Sequence, residues 1–198
     1  DNRPLKRVIE LAVEGIYPDN LLPSVLPSEA HSYSILDYNF IWVELLEFYL
    51  MQTHDKDFIY SKINIIKGLI DNFSKHINED GLLVSKPGKR LFLDWSLVSR
   101  NEPNAIYNFH FLYFLQKSQN IFFHLNYEND ISESINTLKL NITNKFFYNN
   151  IWYDDYERTT FSQQSASFSI LTDINKSNNI NTILSDITKC SLNEVINN

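Results

Sequence analysis

Two kinds of helical segment alternate along this chain, and the alternation constrains the fold more than any other feature. One kind is apolar on nearly every face, as in residues 40–50 and 106–115, and such a helix must be buried on most sides. The other kind carries a single apolar stripe at helical spacing, as in residues 58–73 and 131–146, and is expected on the outside. The pattern predicts an all-α fold of helix pairs, with an inner ring surrounded by an outer ring.

Composition supports a helical interpretation. The chain has 198 residues but only 4 Gly and 6 Pro, too few turn-forming residues for a sandwich of many short strands. Hydrophobic residues make up 43% and charged residues 21%, which is an ordinary balance for a globular protein. We therefore expect residues 1–198 to form a single helical domain. The helical segments visible in the sequence amount to about half of a twelve-helix (α/α)6 toroid.

Several helix ends can be predicted from capping residues. Asp37 precedes an apolar helical pattern, and Asp is a favoured N-cap residue. Asp55 and Asp57 stand at the start of the next helical segment, where acidic groups favour the N-terminal end of the helix dipole. Asn101 and Pro103 are a good helix entry, because Asn can cap and Pro suits the first turn. We predict helices beginning at each of these points.

Four pieces of the chain resemble, in order, the six-hairpin catalytic domain of bacterial α-L-rhamnosidases. They are residues 19–27, 37–49, 92–96 and 161–171. The first contains Asp-Asn-Leu-Leu-Pro-Ser, the second has Trp42 in its helix, and the third ends in Asp94-Trp95-Ser96. The resemblance implies a partial (α/α)6 toroid and a glycoside hydrolase. It also implies hydrolysis of a terminal sugar by an inverting two-carboxylate mechanism in the complete protein.

The sequence departs from this family at the catalytic carboxylates. The family's acidic, Arg-containing motif, which supplies the general acid, has no match here and is expected before residue 1. The family's general base is expected after residue 198. The catalytic residues are therefore unassigned, and we expect the chain to be a fragment of a larger domain that is inactive alone.

The resemblance and the side-chain chemistry select four candidate substrate-binding residues, which are Asp37, Trp42, Asp94 and Trp95. An indole beside a carboxylate suits a sugar, which presents apolar C–H faces as well as hydroxyls. Each also has an ordinary structural interpretation. Asp37 can be a helix cap, Asp94 a buried carboxylate bonded to backbone amides, and Trp42 a core residue.

A second aromatic and acidic group follows the last long amphipathic segment. It consists of Trp152, Tyr153, Asp154 and Asp155. Loops of this composition can bind ligands. Ordinary packing explains the same residues, and we regard this connector as the weaker candidate.

Other ligand classes are disfavoured by the sequence. A net charge of −7 without a run of Lys or Arg argues against nucleic acid. No apolar stretch reaches the roughly 20 residues that span a bilayer, so no membrane partner is expected. Cys190 is the only cysteine, and the five histidines show no metal-ligand spacing, so neither a metal nor another cofactor is expected. A cytoplasmic and a secreted location both stay open.

Three functions remain as alternatives. The first is the rhamnosidase-like segment, with a rhamnose-containing glycan as ligand. The second is a non-catalytic helical module that binds carbohydrate or another partner, and the third is a toroid hydrolase acting on α-glucosides. Uncovered apolar helix faces also predict self-association, or association with the remainder of the parent chain.

Overall fold

The computed structural model describes residues 1–27, 34–89, 91–93, 98–175 and 185. The described chain is built mainly of helices, and its regular strands form one short antiparallel hairpin. The elements in chain order are α1 (Arg3–Glu14), α2 (Tyr38–Thr53), α3 (Lys56–Tyr60), α4 (Ile63–Ser74), α5 (Ala105–Leu125), α6 (Ser132–Phe146), β1 (Phe147–Tyr148), β2 (Ile151–Trp152) and α7 (Gln163–Leu171).

The chain divides into two compact units. The first consists of residues 1–77, 85–92 and 114–133, and the second of residues 78–84, 93–113 and 134–198. The division does not follow the order of the sequence, since each unit is assembled from three stretches of chain. We describe each unit by itself.

Three phenylalanines form the centre of the first unit. Phe40 of α2 lies 4.7 Å from Phe73 of α4 and 5.1 Å from Phe114 of α5, measured between ring centroids. All three rings are buried, and their tilted arrangement is one that aromatic pairs prefer. The face of α2 that carries Phe40 is thus buried between neighbours, as its sequence predicts, whereas Ile41, Phe48 and Met51 of the same helix are exposed.

Two helix starts of the first unit lie at the acidic residues that the sequence indicates. Asp37 precedes α2, and Asp55 caps α3 by accepting a hydrogen bond from the backbone N–H of Phe58 at 3.2 Å. The single helix expected over residues 58–73 is wrong, because α3 ends at Tyr60 and α4 begins at Ile63. The Ser61 hydroxyl donates to the Phe58 carbonyl at 2.6 Å, and such a local bond competes with helix continuation.

The start of α5 in the second unit also differs from the expectation. The predicted entry at Asn101 and Pro103 is wrong, since α5 begins at Ala105. Asn104 takes the capping role: its Oδ1 atom accepts from the backbone N–H of Tyr107 at 3.2 Å. Asn is as good a cap at 104 as at 101, so capping preference alone could not choose between them.

The β1–β2 hairpin was not predicted. Its two-residue turn consists of Asn149 and Asn150, both with positive φ, which is the backbone a tight hairpin of this type requires. Trp152 of β2 is buried against Phe147, with ring centroids 4.6 Å apart, and against Phe109 of α5 at 5.1 Å. The hairpin therefore places an aromatic anchor in the core of the second unit.

Candidate functional site

Trp42 lies in the interior of the first unit. Its side chain is only 3% exposed, and its indole N–H donates to the backbone carbonyl of Ile9 in α1 at 3.2 Å. A buried indole whose polar atom is already bonded has no free face for a sugar ring. Of the two roles that the sequence left open, Trp42 therefore takes the core role.

Asp37 lies at the N-terminal end of α2 and is partly buried. Its backbone carbonyl accepts from Phe40 at 2.9 Å and from Ile41 at 3.2 Å, which starts the helix. Its side chain makes no N-cap hydrogen bond. The position expected from sequence is therefore correct, but the carboxylate does not perform the capping that position normally implies.

Asp94 and Trp95 lie outside the described residues, so their placement stays a prediction. The chain on either side of them is anchored in the second unit. Leu93 is 5% exposed, and on the other side the backbone N–H of Ser99 donates to Thr160 Oγ1 at 3.1 Å. The Ser99 carbonyl accepts from Asn104 Nδ2 at 2.8 Å.

Asp154, in the aromatic and acidic connector, is completely buried and surrounded by hydroxyl groups. Its Oδ1 atom accepts from Ser162 at 2.7 Å and from Ser165 at 2.5 Å, and its Oδ2 atom accepts from Thr160 at 2.8 Å. Its backbone carbonyl accepts from the N–H of Ala105 at 2.8 Å. Asp154 thus holds the start of α7 through its carboxylate and the start of α5 through its backbone carbonyl, which is a structural role.

Asp155 is equally buried but has a different set of partners. Thr159 donates to it from both its hydroxyl and its backbone N–H, and Asn101 Nδ2 donates to Oδ2 at 3.3 Å. Burial alone raises the pKa of this carboxyl, but hydrogen bonds from Ser99, Thr159 and Asn101 outweigh it and lower the pKa below the usual value. Asp155 is therefore an ionised carboxylate that holds residues 99–101.

Two buried asparagines organise the loops and were missed by sequence reasoning. Asn39 of α2 accepts from the backbone N–H of Leu22 at 2.8 Å. Asn108 of α5 pairs with both backbone groups of Leu83, at 2.7 Å and 2.9 Å. The available signal is the same in both cases: a single amide inside an otherwise apolar helix needs polar partners if it is buried.

A charged cluster lies in the first unit, where Asp19 meets two lysines. Asp19 Oδ2 is 3.3 Å from Lys86 Nζ and 3.0 Å from Lys89 Nζ. Burial alone raises the pKa of Asp19, but Lys89, the Leu21 N–H and Lys86 together lower it below its usual value. The Asp19 carboxylate is therefore ionised at neutral pH and forms ion pairs with two lysine ammonium groups.

Within the described ranges, no group of three or more His, Cys, Asp and Glu side chains is arranged to hold a metal ion. None of the helices in that part of the chain combines the length and apolar character needed to cross a bilayer.

The comparisons with known proteins give a likeness of fold rather than of sequence. No protein-family model matches the chain, and no curated protein matches its sequence. Two solved structures superpose on 93% of the chain, each at 16% identity. Both are rhamnosidases, so the fold of this chain is similar to that of solved rhamnosidase structures.

The first structure is a rhamnosidase from Klebsiella oxytoca with rhamnose bound, matched with a TM-score of 0.78. The second is a GH78 family rhamnosidase of Bacillus sp. GL1, matched with a TM-score of 0.82. The chain spans 37% and 20% of their respective lengths. These likenesses confirm the predicted fold class, an all-α partial (α/α)6 toroid, and confirm the rhamnosidase resemblance as a resemblance of fold.

Proposed function

We propose that this chain forms part of the helical domain of a rhamnosidase-like glycoside hydrolase and contributes a sugar-binding wall to it. The observation that carries the proposal is the likeness over 93% of the chain to a rhamnosidase with rhamnose bound. In the complete protein, two carboxylates about 6.5–9.5 Å apart would hydrolyse a terminal sugar with inversion. The catalytic residues are not assigned to this chain.

Within the wall, Asp94 and Trp95 are the proposed contacts to the sugar. A carboxylate accepts hydrogen bonds from sugar hydroxyls, and an adjacent indole covers an apolar face of the ring. Anchoring of the neighbouring chain supports the proposal, because Leu93 is buried and Ser99 is bonded at both its N–H and its carbonyl. A binding segment with fixed ends loses less conformational entropy when the ligand binds.

Asp37 and Trp42 lie in the first unit, and we propose different roles in sugar binding for them. Asp37 brings a partly buried carboxylate to the N-terminal end of α2. The proposed role of Trp42 is indirect, because the hydrogen bond from its indole N–H to the Ile9 carbonyl holds α2 against α1. We therefore propose direct sugar contact for Asp37 and packing support for Trp42.

The experiment is a binding measurement on the full 198-residue chain. Saturation-transfer NMR with L-rhamnose is expected to show binding that Trp95→Ala removes. Phe161→Ala is the matched control, because Phe161 is an aromatic residue with 51% exposure in the same unit, and it is expected to bind normally. Absence of rhamnose binding to the wild-type chain would contradict the proposal.

The same experiment separates the alternatives. Binding of maltose in place of rhamnose favours a hydrolase acting on α-glucosides. Binding of neither sugar, together with specific capture of a protein partner, favours the non-catalytic interaction module. A catalytic acidic motif in the complete protein would favour an enzyme over a binding module, since acid–base groups contribute about 10²–10⁴-fold each to hydrolysis.

A further inference from the structure

The cluster of Asp19, Lys86 and Lys89 in the first unit carries an excess positive charge. Both ammonium groups lie against the same carboxylate oxygen, Oδ2. The other oxygen, Oδ1, accepts from the backbone N–H of Leu21 at 3.3 Å. One negative and two positive side chains leave this cluster with a net positive charge, in a chain whose overall charge is −7.

The two lysines are largely withdrawn from water. The Lys89 side chain is 16% exposed and the Lys86 side chain 23% exposed, although lysine is normally among the most exposed residues. Withdrawing a cation from water is costly unless an anion compensates it. Asp19 compensates one of the two charges, so a second anion at this place is favoured.

The lysines are not needed to hold Asp19 in place. Asn72 donates to the Asp19 carbonyl at 2.9 Å. The loop is closed by two backbone bonds, from Tyr17 to Leu21 at 2.9 Å and from Asn20 to Tyr17 at 2.8 Å. One lysine, or none, would suffice for a loop already fixed in this way, so the second lysine calls for another explanation.

We propose that Lys86 and Lys89, with Asp19 as their internal counter-ion, bind the carboxylate of an acidic sugar. Each ammonium has three donors, so each can bond Asp19 and a ligand together. The ring of Tyr17, with its centroid 5.9 Å from Lys89 Nζ, offers an apolar surface for a pyranose. The inference rests on the proposed function for its choice of a sugar, while the anion site rests on the cluster itself.

The test is a titration of the full chain with D-glucuronate at low ionic strength, followed by NMR. D-glucose is the neutral counterpart and inorganic sulfate is the sugar-free anion. Glucuronate is expected to bind, glucose to fail, and sulfate to bind more weakly than glucuronate. Sulfate binding as tight as glucuronate binding overturns the assignment to a sugar, and no glucuronate binding overturns the site.

Variants distinguish a binding site from a structural ion pair. Lys86→Gln and Lys89→Gln are each expected to weaken glucuronate binding about tenfold, since each removes one charge-assisted hydrogen bond to the ligand carboxylate. Lys75→Gln changes the net charge equally at an exposed neighbouring position and is expected to have little effect. Asp19→Asn removes the competing carboxylate and is expected to tighten binding. Equal effects of all three lysine variants, or unchanged affinity in Asp19→Asn, overturn the proposal.

His76 provides a readout that a purely structural role would not change. Burial, followed by the charges of Lys86 and Lys75, lowers the pKa of His76 below its usual value. A bound carboxylate offsets the Lys86 charge, so saturating glucuronate is expected to raise the His76 pKa in an NMR titration. Trp95→Ala is expected to leave this effect unchanged while removing rhamnose binding, so the two proposals can fail independently.

Discussion

The indole N–H of Trp42 donates a hydrogen bond to the backbone carbonyl of Ile9, across 3.2 Å, and thereby joins α2 to α1. Both residues are buried, with 3% and 0% exposure. The bond connects two helices whose pairing is the basic unit of the fold. It also explains why Trp42, which the sequence offers as an aromatic surface for a sugar ring, is a core residue in the structure.

Replacing Trp42 with Phe is expected to destabilise the first unit. The change removes the indole donor and part of a buried ring, and we expect a loss of about 2–4 kcal/mol in the free energy of unfolding. Urea denaturation followed by circular dichroism measures it. Phe161→Leu, at an exposed position, is the control, and equal stability of the two variants would show that the Ile9 bond contributes little.

Asp154→Asn is expected to loosen the second unit. The carboxylate accepts from three hydroxyl groups, at 2.5–2.8 Å, and an amide cannot reproduce all three bonds at a buried position. We expect a loss of about 2–4 kcal/mol, measured by thermal or urea unfolding. Asp173→Asn is the matched control at an exposed position. A stability close to wild type for Asp154→Asn would contradict the structural role of this carboxylate.

Helix locations could be predicted from the sequence because they depend on periodic apolar burial. The alternation of apolar and amphipathic segments places α2, α5 and α6, but it merges α3 and α4 into one helix. The acidic residues Asp55 and Asp57 indicate where α3 begins.

Residue preferences do not locate a helix start where two equivalent cap residues compete, as at Asn101 and Asn104. They also do not locate a helix end where a side-chain hydroxyl bonds the backbone and ends the helix early, as at Ser61. The start of α5 depends on a tertiary contact, the hydrogen bond from the Ala105 N–H to the Asp154 carbonyl. The Ser61 bond is local, but a serine hydroxyl can make such a bond without ending a helix, so residue type alone does not predict the break.

Site residues could be predicted less well than helices. Trp42 carries the same signal whether it lines a cleft or fills a core, since an aromatic residue suits both. The loop-organising amides of Asn39 and Asn108 bond backbone groups 17 and 25 residues away. Such partners become visible only when the fold is known. The pairing of Lys86 with Asp19, 67 residues apart, is hidden from sequence for the same reason.

Acid is expected to weaken the fold partly through Asp155. Its pKa in the folded chain lies below the value of about 3.9 expected for an unfolded Asp. The stabilisation is therefore present above that value and is lost as the pH falls through the folded pKa. Unfolding free energies measured from pH 6 down to about pH 2 are expected to fall less steeply in Asp155→Asn than in wild type. Identical slopes would contradict the assignment.

The exposed apolar face of α2 is expected to drive self-association of the isolated chain. Ile41, Phe48 and Met51 are 37%, 54% and 37% exposed, and their spacing places them on one side of the helix. Phe48→Ser is expected to shift sedimentation profiles towards monomer, whereas Phe161→Ser should not. A wild-type chain that is monomeric at high concentration would rule out this face as an association surface.

The isolated 198-residue chain is expected not to hydrolyse an aryl α-L-rhamnoside above background. No segment of it matches the acidic, Arg-containing motif that supplies the general acid in the resembling family, and general acid–base catalysis contributes about 10²–10⁴-fold per group. Release of the aryl group, followed by absorbance, measures the rate. Robust turnover abolished by Asp94→Asn would show that the site is complete within these residues and that Asp94 is catalytic. Turnover that survives Asp94→Asn but disappears in Asp37→Asn would assign the chemistry to the carboxylate at the start of α2.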